Sequence, residues 1–203
     1  MISFESVCHD IGSTRIFSDR TLCVNKNEKI LILGKSGLGK TSLFRLILGF
    51  EQPISGQIRV NGLQVNQTHI HQIRGQIFYL SQDIDLKNEV ILRLLTEVWE
   101  FNFSRPLPLE MVDKLLTFLE LSPAILQKRT TDLSGGERQR TGLLIGFLLD
   151  RPIWLLDEPT SALDDTMKKK IADHILSSDK TCIIISHDHR WQENPTVRIE
   201  RWS

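Results

Sequence analysis

A glycine-rich segment in the first quarter of the chain has the residue types and spacing of a phosphate-binding loop. The segment GKSGLGKT, from Gly34 to Thr41, matches the pattern G-x-x-x-x-G-K-[ST] in full. Glycines let successive backbone amides turn inward, and the following helix adds partial positive charge at its N-terminus. We predict that the loop holds nucleotide phosphates, with a charge from Lys40 and a Mg²⁺ ligand from Thr41. The predicted phosphate-binding residues are Gly34, Lys35, Ser36, Gly37, Leu38, Gly39, Lys40, Thr41 and Ser42.

An apolar segment that ends in two carboxylates is the second chemical feature. The run IWLLDEP, from Ile153 to Pro159, places Asp157 and Glu158 at the tip of a predicted buried strand. In nucleotide hydrolases an aspartate at this position helps to hold Mg²⁺, and a neighbouring carboxylate orients or deprotonates the attacking water. We assign Asp157 to the metal and Glu158 to the water. The alternative, an acidic turn without a chemical role, is disfavoured by the phosphate loop upstream.

A second glycine-rich segment also has the features of an anion site. TDLSGGERQR, from Thr131 to Arg140, places a serine and two glycines just before a predicted helix. Backbone amides at a helix N-terminus bind phosphate groups, so Ser134, Gly135 and Gly136 are predicted to bind phosphate. This raises the question of why a chain of 203 residues has two such segments.

The elements that would position these residues favour an α/β core. The apolar run KILIL, Lys29 to Leu33, predicts a strand before the first loop, and TSLFRLILGF after it has helical spacing. The other predicted strands are ISFESV, TLCV, SGQIRVNG, IWLL and TCIIIS, with a helix between the last two. Alternating strands and helices indicate a mostly parallel sheet.

The middle of the chain has a helical pattern. Leucine, valine and phenylalanine recur every three or four positions from about Asp85 to Leu126, which predicts two or three helices interrupted at SRPLP. We predict a single domain, 1–203, in which 1–82 and 133–203 form the nucleotide-binding core. Residues from about 83 to 132 form an inserted helical subdomain.

Three aromatic residues in this segment allow two interpretations. Trp99, Phe101 and Phe103 fit a core of the helical subdomain and a surface for a membrane partner equally well.

Composition narrows the function classes. The 25 basic and 25 acidic residues give a formal net charge of zero, which disfavours a nucleic-acid partner. The three cysteines are far apart, which predicts reduced thiols rather than disulfides or a zinc site. No secretory signal is evident, and the longest apolar run, LLIGFLL, is far below the roughly 20 residues that span a bilayer. We expect that another chain supplies any membrane part.

Six segments, in order and over nearly the full length, resemble the nucleotide-binding domain of the ABC (ATP-binding cassette) ATPases. GKSGLGKT resembles the Walker A loop, LSGGERQR the signature motif, IWLLDE the Walker B strand and SALD the D-loop. Gln82 in FYLSQD resembles the Q-loop glutamine, and His187 in IISHD resembles the switch histidine. The resemblance implies a P-loop NTPase core with a mostly parallel sheet, an N-terminal antiparallel β subdomain and an inserted helical subdomain.

The resemblance also implies the cofactors and residue roles. It implies ATP with Mg²⁺, a switch histidine near the γ-phosphate and a glutamine that contacts Mg²⁺ and the membrane subunit. The expected catalytic residues are Glu158, His187 and Gln82, and the expected metal ligands are Thr41, Gln82 and Asp157.

Family resemblance offers an answer to the question of the second segment. In this family two domains pack head to tail, and the signature of one closes over the nucleotide of the other. Ser134, Gly135 and Gly136 would then offer a hydroxyl and backbone amides to the partner's γ-phosphate.

The implied function is an ATP-hydrolysing subunit that powers an ABC membrane transporter. Its expected partners are transmembrane permease subunits and a second copy of itself, and its expected place is cytoplasmic, peripheral on the inner membrane face. A soluble ABC-type ATPase of DNA repair or translation is the alternative. Only about fifty residues separate Gln82 from the signature, where repair relatives carry long coiled coils, and the chain has one cassette where translation relatives usually have two.

One departure from the family pattern concerns the nucleotide base. The family often places an aromatic ring near the N-terminus, where it stacks on adenine, and rough alignment puts Ile11 there. His9 and Phe17 are the nearest residues with rings. We therefore expect weak discrimination between ATP and GTP.

Overall fold

The computed structural model describes residues 1–35 and 37–202, and this part of the chain forms nine strands in two sheets with seven α-helices. The strands are β1 (Ile2–Ile11), β2 (Thr14–Val24), β3 (Lys29–Leu33), β4 (Ser55–Val60), β5 (Leu63–Gln64), β6 (Ile77–Leu80), β7 (Ile153–Asp157), β8 (Thr181–Ile185) and β9 (Val197–Arg201). The helices are α1 (Lys40–Ile47), α2 (Ile70–Arg74), α3 (Ile91–Phe103), α4 (Leu109–Phe118), α5 (Gly135–Leu149), α6 (Asp165–Ser177) and α7 (Arg190–Glu193).

The larger sheet is parallel throughout, with the strand order β6-β7-β8-β3-β9. Its central strands are continuous apolar runs because both faces are covered. Alternate residues of β7 point to opposite sides: Trp154 and Leu156 pack with α3 to α6, whereas Ile153 and Leu155 pack on the side of α1. The parallel arrangement brings the carboxyl ends of all five strands to one edge, where α/β proteins bind their ligands.

The smaller sheet is antiparallel, with the order β2-β1-β4-β5. Phe4 and Phe17 from this sheet are buried in the same core as Leu43 and Phe44 of α1. The predicted α/β fold, with a parallel core sheet and an N-terminal antiparallel sheet, is confirmed.

The middle of the chain is helical and is interrupted where the sequence predicts. Helix α3 ends at Phe103 and α4 begins at Leu109, on either side of SRPLP, and two short 3₁₀ helices, Pro123–Gln127 and Thr130–Asp132, follow. Helix α5 then packs closely on β6, because Gly142 and Gly146 leave room for Leu80 and Phe78. Whether 83–132 acts as a subdomain of its own stays a prediction.

The aromatic trio of α3 divides between core and surface. Trp99 is 3% exposed and Phe103 packs against the core beside it, with ring centroids 4.1 Å apart. Phe101 points outward and is 90% exposed. Trp99 and Phe103 therefore fit the core interpretation, and a partner surface at Phe101 stays a prediction.

The described helices do not include one with the length and hydrophobicity needed to cross a bilayer. Cys8, Cys23 and Cys182 are free cysteines, and only Cys182 is buried.

Candidate functional site

A cavity of about 560 Å³ lies at the carboxyl edge of the parallel sheet. The segments after β3, β6, β7 and β8 meet there, so residues far apart in sequence come together. The described residues that line it are Ile11, Ile16, Gly37, Gly39, Lys40, Thr41, Ser42, Gln82, Asp157, Glu158, Ser161, Ile185 and His187. All three predicted catalytic residues and all three predicted metal ligands are in this set.

The phosphate loop turns from β3 into α1 through glycines with left-handed backbone. Gly37 has φ 86° and Gly39 has φ 81°, values that other residues rarely adopt. Gly39 is also packed so closely that a side chain would collide with Ile16 and approach the Phe17 ring to 3.2 Å. Ser36, one of the predicted phosphate-binding residues, lies outside the described residues.

Lys40 folds over the loop at the start of α1. Its Nζ donates hydrogen bonds to the carbonyl oxygens of Gly34 and Lys35, each at 2.7 Å. These two hydrogen bonds hold the Lys40 ammonium group over the loop, beside the backbone amides at the N-terminus of α1. The arrangement concentrates positive charge where a phosphate would lie.

An aromatic pair supports the loop from behind. The backbone N–H of Trp202, just after β9, donates to the carbonyl oxygen of Leu33 at 2.7 Å. Its ring meets Phe17 edge to face, with centroids 5.5 Å apart, and the Arg20 guanidinium lies 4.5 Å from the Trp202 ring centroid. The rings of Phe17 and Trp202 are therefore fixed beneath the loop.

Two of the predicted metal ligands are already in contact. The Thr41 hydroxyl donates to Asp157 Oδ2 at 2.9 Å. Burial raises the pKa of Asp157, although the Thr41 hydrogen bond and the charge of Lys40 oppose that effect. The exposed Gln82 lines the same cavity. Hard oxygen donors of this kind suit Mg²⁺.

Acidic and histidine side chains alone do not form a metal cage in the described part of the chain. Mg²⁺ in nucleotide enzymes is held by one or two carboxylates together with substrate phosphates. Thr41, Gln82 and Asp157 therefore fit Mg²⁺ that arrives with a nucleotide.

Glu158 has a strained backbone and a well-fixed carboxylate. Its φ is 48°, in the left-handed region that is unfavourable for a residue with a side chain. The carboxylate accepts hydrogen bonds from the Ser186 hydroxyl at 3.2 Å and from the His187 backbone N–H at 3.1 Å. Burial raises the pKa of Glu158. A carboxylate of raised pKa is a stronger base, which suits it to water activation.

His187 contributes an exposed ring above this carboxylate. Its Nε2 lies 3.9 Å from Glu158 Oε1, and its side chain is 69% exposed. Ser186, which was not predicted as a site residue, is 2% exposed and lies between the end of β8 and His187. A polar residue directly after the apolar run TCIII was the available signal.

The second glycine-rich segment lies outside this cavity. Ser134 is the N-cap of α5, and a reciprocal pair of hydrogen bonds joins it to Glu137: the Glu137 N–H donates to Ser134 Oγ at 3.2 Å, and the Ser134 N–H donates to the Glu137 carboxylate at 3.0 Å. Ser134 and Gly135 are exposed. None of Ser134, Gly135 and Gly136 is among the described residues that line the cavity of the phosphate loop.

No aromatic ring lines the described surface of the cavity on its N-terminal side. Ile11, 49% exposed, and Ile16 lie there. His9 and Phe17, the other candidates for base stacking, are buried at 5% and 1% exposure. Two aliphatic side chains, Ile11 and Ile16, therefore occupy the side of the cavity where the family often has a stacking ring.

Comparison with known proteins identifies the family. Residues 17–161, more than two thirds of the chain, match the sequence model of a protein family described as ABC transporter. The chain belongs to the ABC transporter family. As a cassette of this family, it is an ATP-binding domain with ATPase activity.

Individual relatives agree with this assignment. The transport/processing ATP-binding protein ComA of Streptococcus pneumoniae is 33% identical over 193 residues, which cover 92% of this chain and 27% of that protein. The spermidine/putrescine import ATP-binding protein PotA of Legionella pneumophila is 31% identical, over 98% of this chain and 56% of that protein. The chain thus spans about a quarter to a half of the length of these relatives.

Solved structures share the fold. A dimeric bacterial ABC transporter cassette superposes with a TM-score of 0.83 at 21% identity, covering 99% of this chain and 94% of that one. A bacterial Atm1-family ABC exporter with ATP bound gives a TM-score of 0.80 at 25% identity, covering 92% of this chain and 34% of that one.

Proposed function

We propose that this ATPase powers transport across a membrane, and that it works as a head-to-tail dimer with two composite ATP sites. The observation that carries the proposal is the separation of the two phosphate-binding segments. One has Lys40, Asp157 and Glu158 around a common cavity. The other segment carries the exposed Ser134 and Gly135, which lie outside that cavity. A second copy would bring its own exposed segment to the open side of the first.

In the proposed site, the phosphate loop and Lys40 bind the triphosphate, and Thr41, Asp157 and Gln82 would hold Mg²⁺. The metal, when bound, neutralises charge that develops on the phosphate oxygens. The signature residues of the other subunit add a hydroxyl and backbone amides at the γ-phosphate.

Hydrolysis then depends on Glu158. Its carboxylate orients a water molecule and draws a proton from it as the water oxygen attacks the γ-phosphorus. The bond from the γ-phosphorus to the bridging oxygen breaks, which leaves ADP and inorganic phosphate. The hydrogen bonds from Ser186 and the His187 backbone fix the carboxylate. The His187 side chain lines the same cavity and would lie near the transferred group.

The membrane partners are proposed to be permease subunits, which would place the cassette on the inner face of the membrane. The relatives ComA and PotA are named as transport and import proteins, and this chain matches only part of each of them. Phe101 lies on the helical segment 83–132 and is 90% exposed, so it offers an apolar surface that a partner would cover. In the proposed domain organisation, 1–82 and 133–203 form the nucleotide-binding core, and 83–132 form the inserted helical subdomain.

Mixing two inactive variants tests the composite site. Lys40→Ala spoils the phosphate loop, and Ser134→Arg places a bulky cation in the signature. Each homodimer should be inactive because every site has one defective half. In a heterodimer one site collects both defects and the other is intact, so about a quarter of the wild-type sites should be restored, as an upper bound, from random assembly.

The measurement is ATP hydrolysis by the mixture, with heterodimer formation checked by two different affinity tags. A mixture that forms heterodimers but neither hydrolyses nor occludes ATP would contradict the head-to-tail arrangement. Co-purification with a multi-span membrane protein tests the transport role separately, and a chain that never associates with one would favour a soluble ATPase.

A further inference from the structure

A buried glutamine connects the signature helix to the proposed catalytic carboxylate of the same chain. Gln139 lies in α5 and is 3% exposed. Its Nε2 donates a hydrogen bond to the backbone carbonyl oxygen of Glu158 at 2.8 Å. Its Oε1 accepts a hydrogen bond from the backbone N–H of Ala162 at 2.7 Å. Both ends of the amide are thus used on the loop that follows β7.

This loop needs support because its first residue is strained. The left-handed backbone of Glu158 persists only where surrounding contacts hold it. The Glu158 N–H donates to the Ile185 carbonyl oxygen at 2.8 Å, which secures one side of the residue. On the other side, the Glu158 carbonyl oxygen accepts from Gln139 and, at 3.2 Å, from the Ser161 N–H. Gln139 supplies the only side-chain donor that the structure describes at this carbonyl.

The left-handed φ of Glu158 decides where its side chain points. A change in this φ would turn both the Cα–Cβ bond and the carbonyl group about the N–Cα bond, away from Gln139 and from the hydrogen bonds of Ser186 and His187 that fix the carboxylate. A shift of about 1 Å in a reacting group is enough to reduce a rate by roughly a hundredfold.

We propose that Gln139 is a positioning residue for ATP hydrolysis: it holds the strained backbone of Glu158 so that the carboxylate faces the attacking water. This inference rests on the proposed role of Glu158. Gln139 and Ser134 lie on the same helix, so α5 serves two sites. Its first turn faces the partner's nucleotide, and Gln139 fixes the carboxylate beside its own chain's nucleotide.

Gln139→Leu tests the proposal because it removes both hydrogen bonds and keeps nearly the same volume. The single-turnover rate of ATP hydrolysis should fall about 10- to 100-fold, whereas the nucleotide dissociation constant should stay within about twofold, since the phosphate loop is untouched. Thr141→Val is the matched control. Thr141 is also buried in α5, but its hydroxyl donates only to the Glu137 carbonyl oxygen, so its loss should leave hydrolysis unchanged.

A double variant separates positioning from general structural support. If Gln139 acts through Glu158, adding Gln139→Leu to Glu158→Gln should cause no further loss of rate. Losses that multiply in the double variant would overturn the proposal, as would a normal rate in Gln139→Leu when Glu158→Gln is inactive. If Glu158→Gln itself hydrolyses normally, the proposed catalytic role of Glu158 fails first, and the inference about Gln139 fails with it.

Gln139→Glu covers the case in which the leucine variant does not fold. It keeps an oxygen for the Ala162 N–H and, when ionised, removes the donor to the Glu158 carbonyl. We expect a lower hydrolysis rate with unchanged nucleotide affinity. A folded Gln139→Glu protein with the wild-type rate would show that the bond to Glu158 is dispensable.

Discussion

Both glycine-rich segments place backbone amides at a helix N-terminus, but the residues that surround those amides differ. The phosphate loop needs left-handed glycines at Gly37 and Gly39, an aromatic support from behind, and two carboxylates beside it. The signature needs none of these, because Ser134 and Glu137 cap an ordinary helix whose first turn is exposed. In the proposed dimer, the first segment binds the nucleotide of its own chain, and the second acts on the nucleotide of the other subunit.

The largest effect is expected at Glu158, where a substitution should reduce the rate of ATP hydrolysis without preventing ATP binding. Glu158→Gln keeps the shape of the side chain but removes the charge that polarises water, so hydrolysis should slow by about 10²–10⁴-fold. Both phosphate-binding segments remain intact, so ATP should accumulate between two subunits. Size-exclusion chromatography with ATP should then show a dimer that the nucleotide-free protein lacks.

Glu193→Gln, which removes an exposed carboxylate outside the cavity, is the control and should hydrolyse normally. Normal hydrolysis by Glu158→Gln would move the base elsewhere, with His187 the next candidate.

The second effect is on ATP affinity, which should depend on the phosphate loop and not on the signature segment of the same subunit. Lys40→Ala should abolish ATPase activity and weaken ATP binding about 10- to 100-fold, because a charge-assisted contact to phosphate contributes roughly 1.5–3 kcal/mol. Ser134→Arg should leave the affinity of the isolated subunit unchanged. Nucleotide titration at protein concentrations too low for dimerisation measures the ATP affinity of both variants.

Lys26→Ala removes the same charge from the turn at the opposite end of β3 and serves as the control. Unchanged affinity in Lys40→Ala would take that residue out of the binding site.

A smaller effect concerns the pH dependence of the signature cap. The ion pair with Lys128 and the hydrogen bond from the Ser134 N–H lower the pKa of Glu137 to about 2. Because the folded protein holds this carboxylate ionised, its stabilising effect is complete above the unfolded pKa of about 4.3 and is lost as pH falls toward 2. Urea denaturation should show Glu137→Gln less stable than wild type at pH 7.

The difference should shrink as the pH is lowered below 4.5. A constant difference between pH 7 and pH 3 would mean that Glu137 acts through shape rather than charge.

The smallest expected effect is in the choice of base. With only Ile11 and Ile16 beside the cavity, ATP and GTP should bind with similar affinity, because the triphosphate and Mg²⁺ carry the recognition. Competition between the two nucleotides measures this. Ile11→Tyr should raise the affinity for both, since a base stacked on a ring gains about 1–3 kcal/mol.

A preference for ATP above about a hundredfold would require another residue to read the base. His9 and Phe17 are buried and would have to move to do so.

Local patterns predicted the parts of the site that are contiguous in sequence. GKSGLGKT and LLDE carry their own geometry, because a strand, a turn and a helix N-terminus follow directly from the order of residue types. The strands β3, β7 and β8 were predicted for the same reason. Short elements such as β6 and α2 were not predicted, since four or five residues give too little periodicity.

Contacts between distant segments could not be predicted from the sequence. Gln139 looks like one more polar residue on a helix until the fold places it against the loop after β7. Phe17 was considered as a ring for the base, and it packs instead against Trp202 under the phosphate loop. Both outcomes depend on which surfaces the sheet brings together, and no local pattern records that.

The position of β3 in the sheet sets the time at which the protein can first bind its ligand during synthesis. Both neighbours of β3 come from the last quarter of the chain: β8 pairs with it over Lys29 to Ile32, and β9 over Lys29 to Leu33. A nascent chain that ends before residue 181 has the phosphate loop in its sequence but no strand on either side to hold it. Contacts between segments far apart in sequence form slowly. The apolar strand β3 therefore stays unpaired while the chain as far as β8 and β9 is synthesised. ATP can stabilise the fold only after that closure.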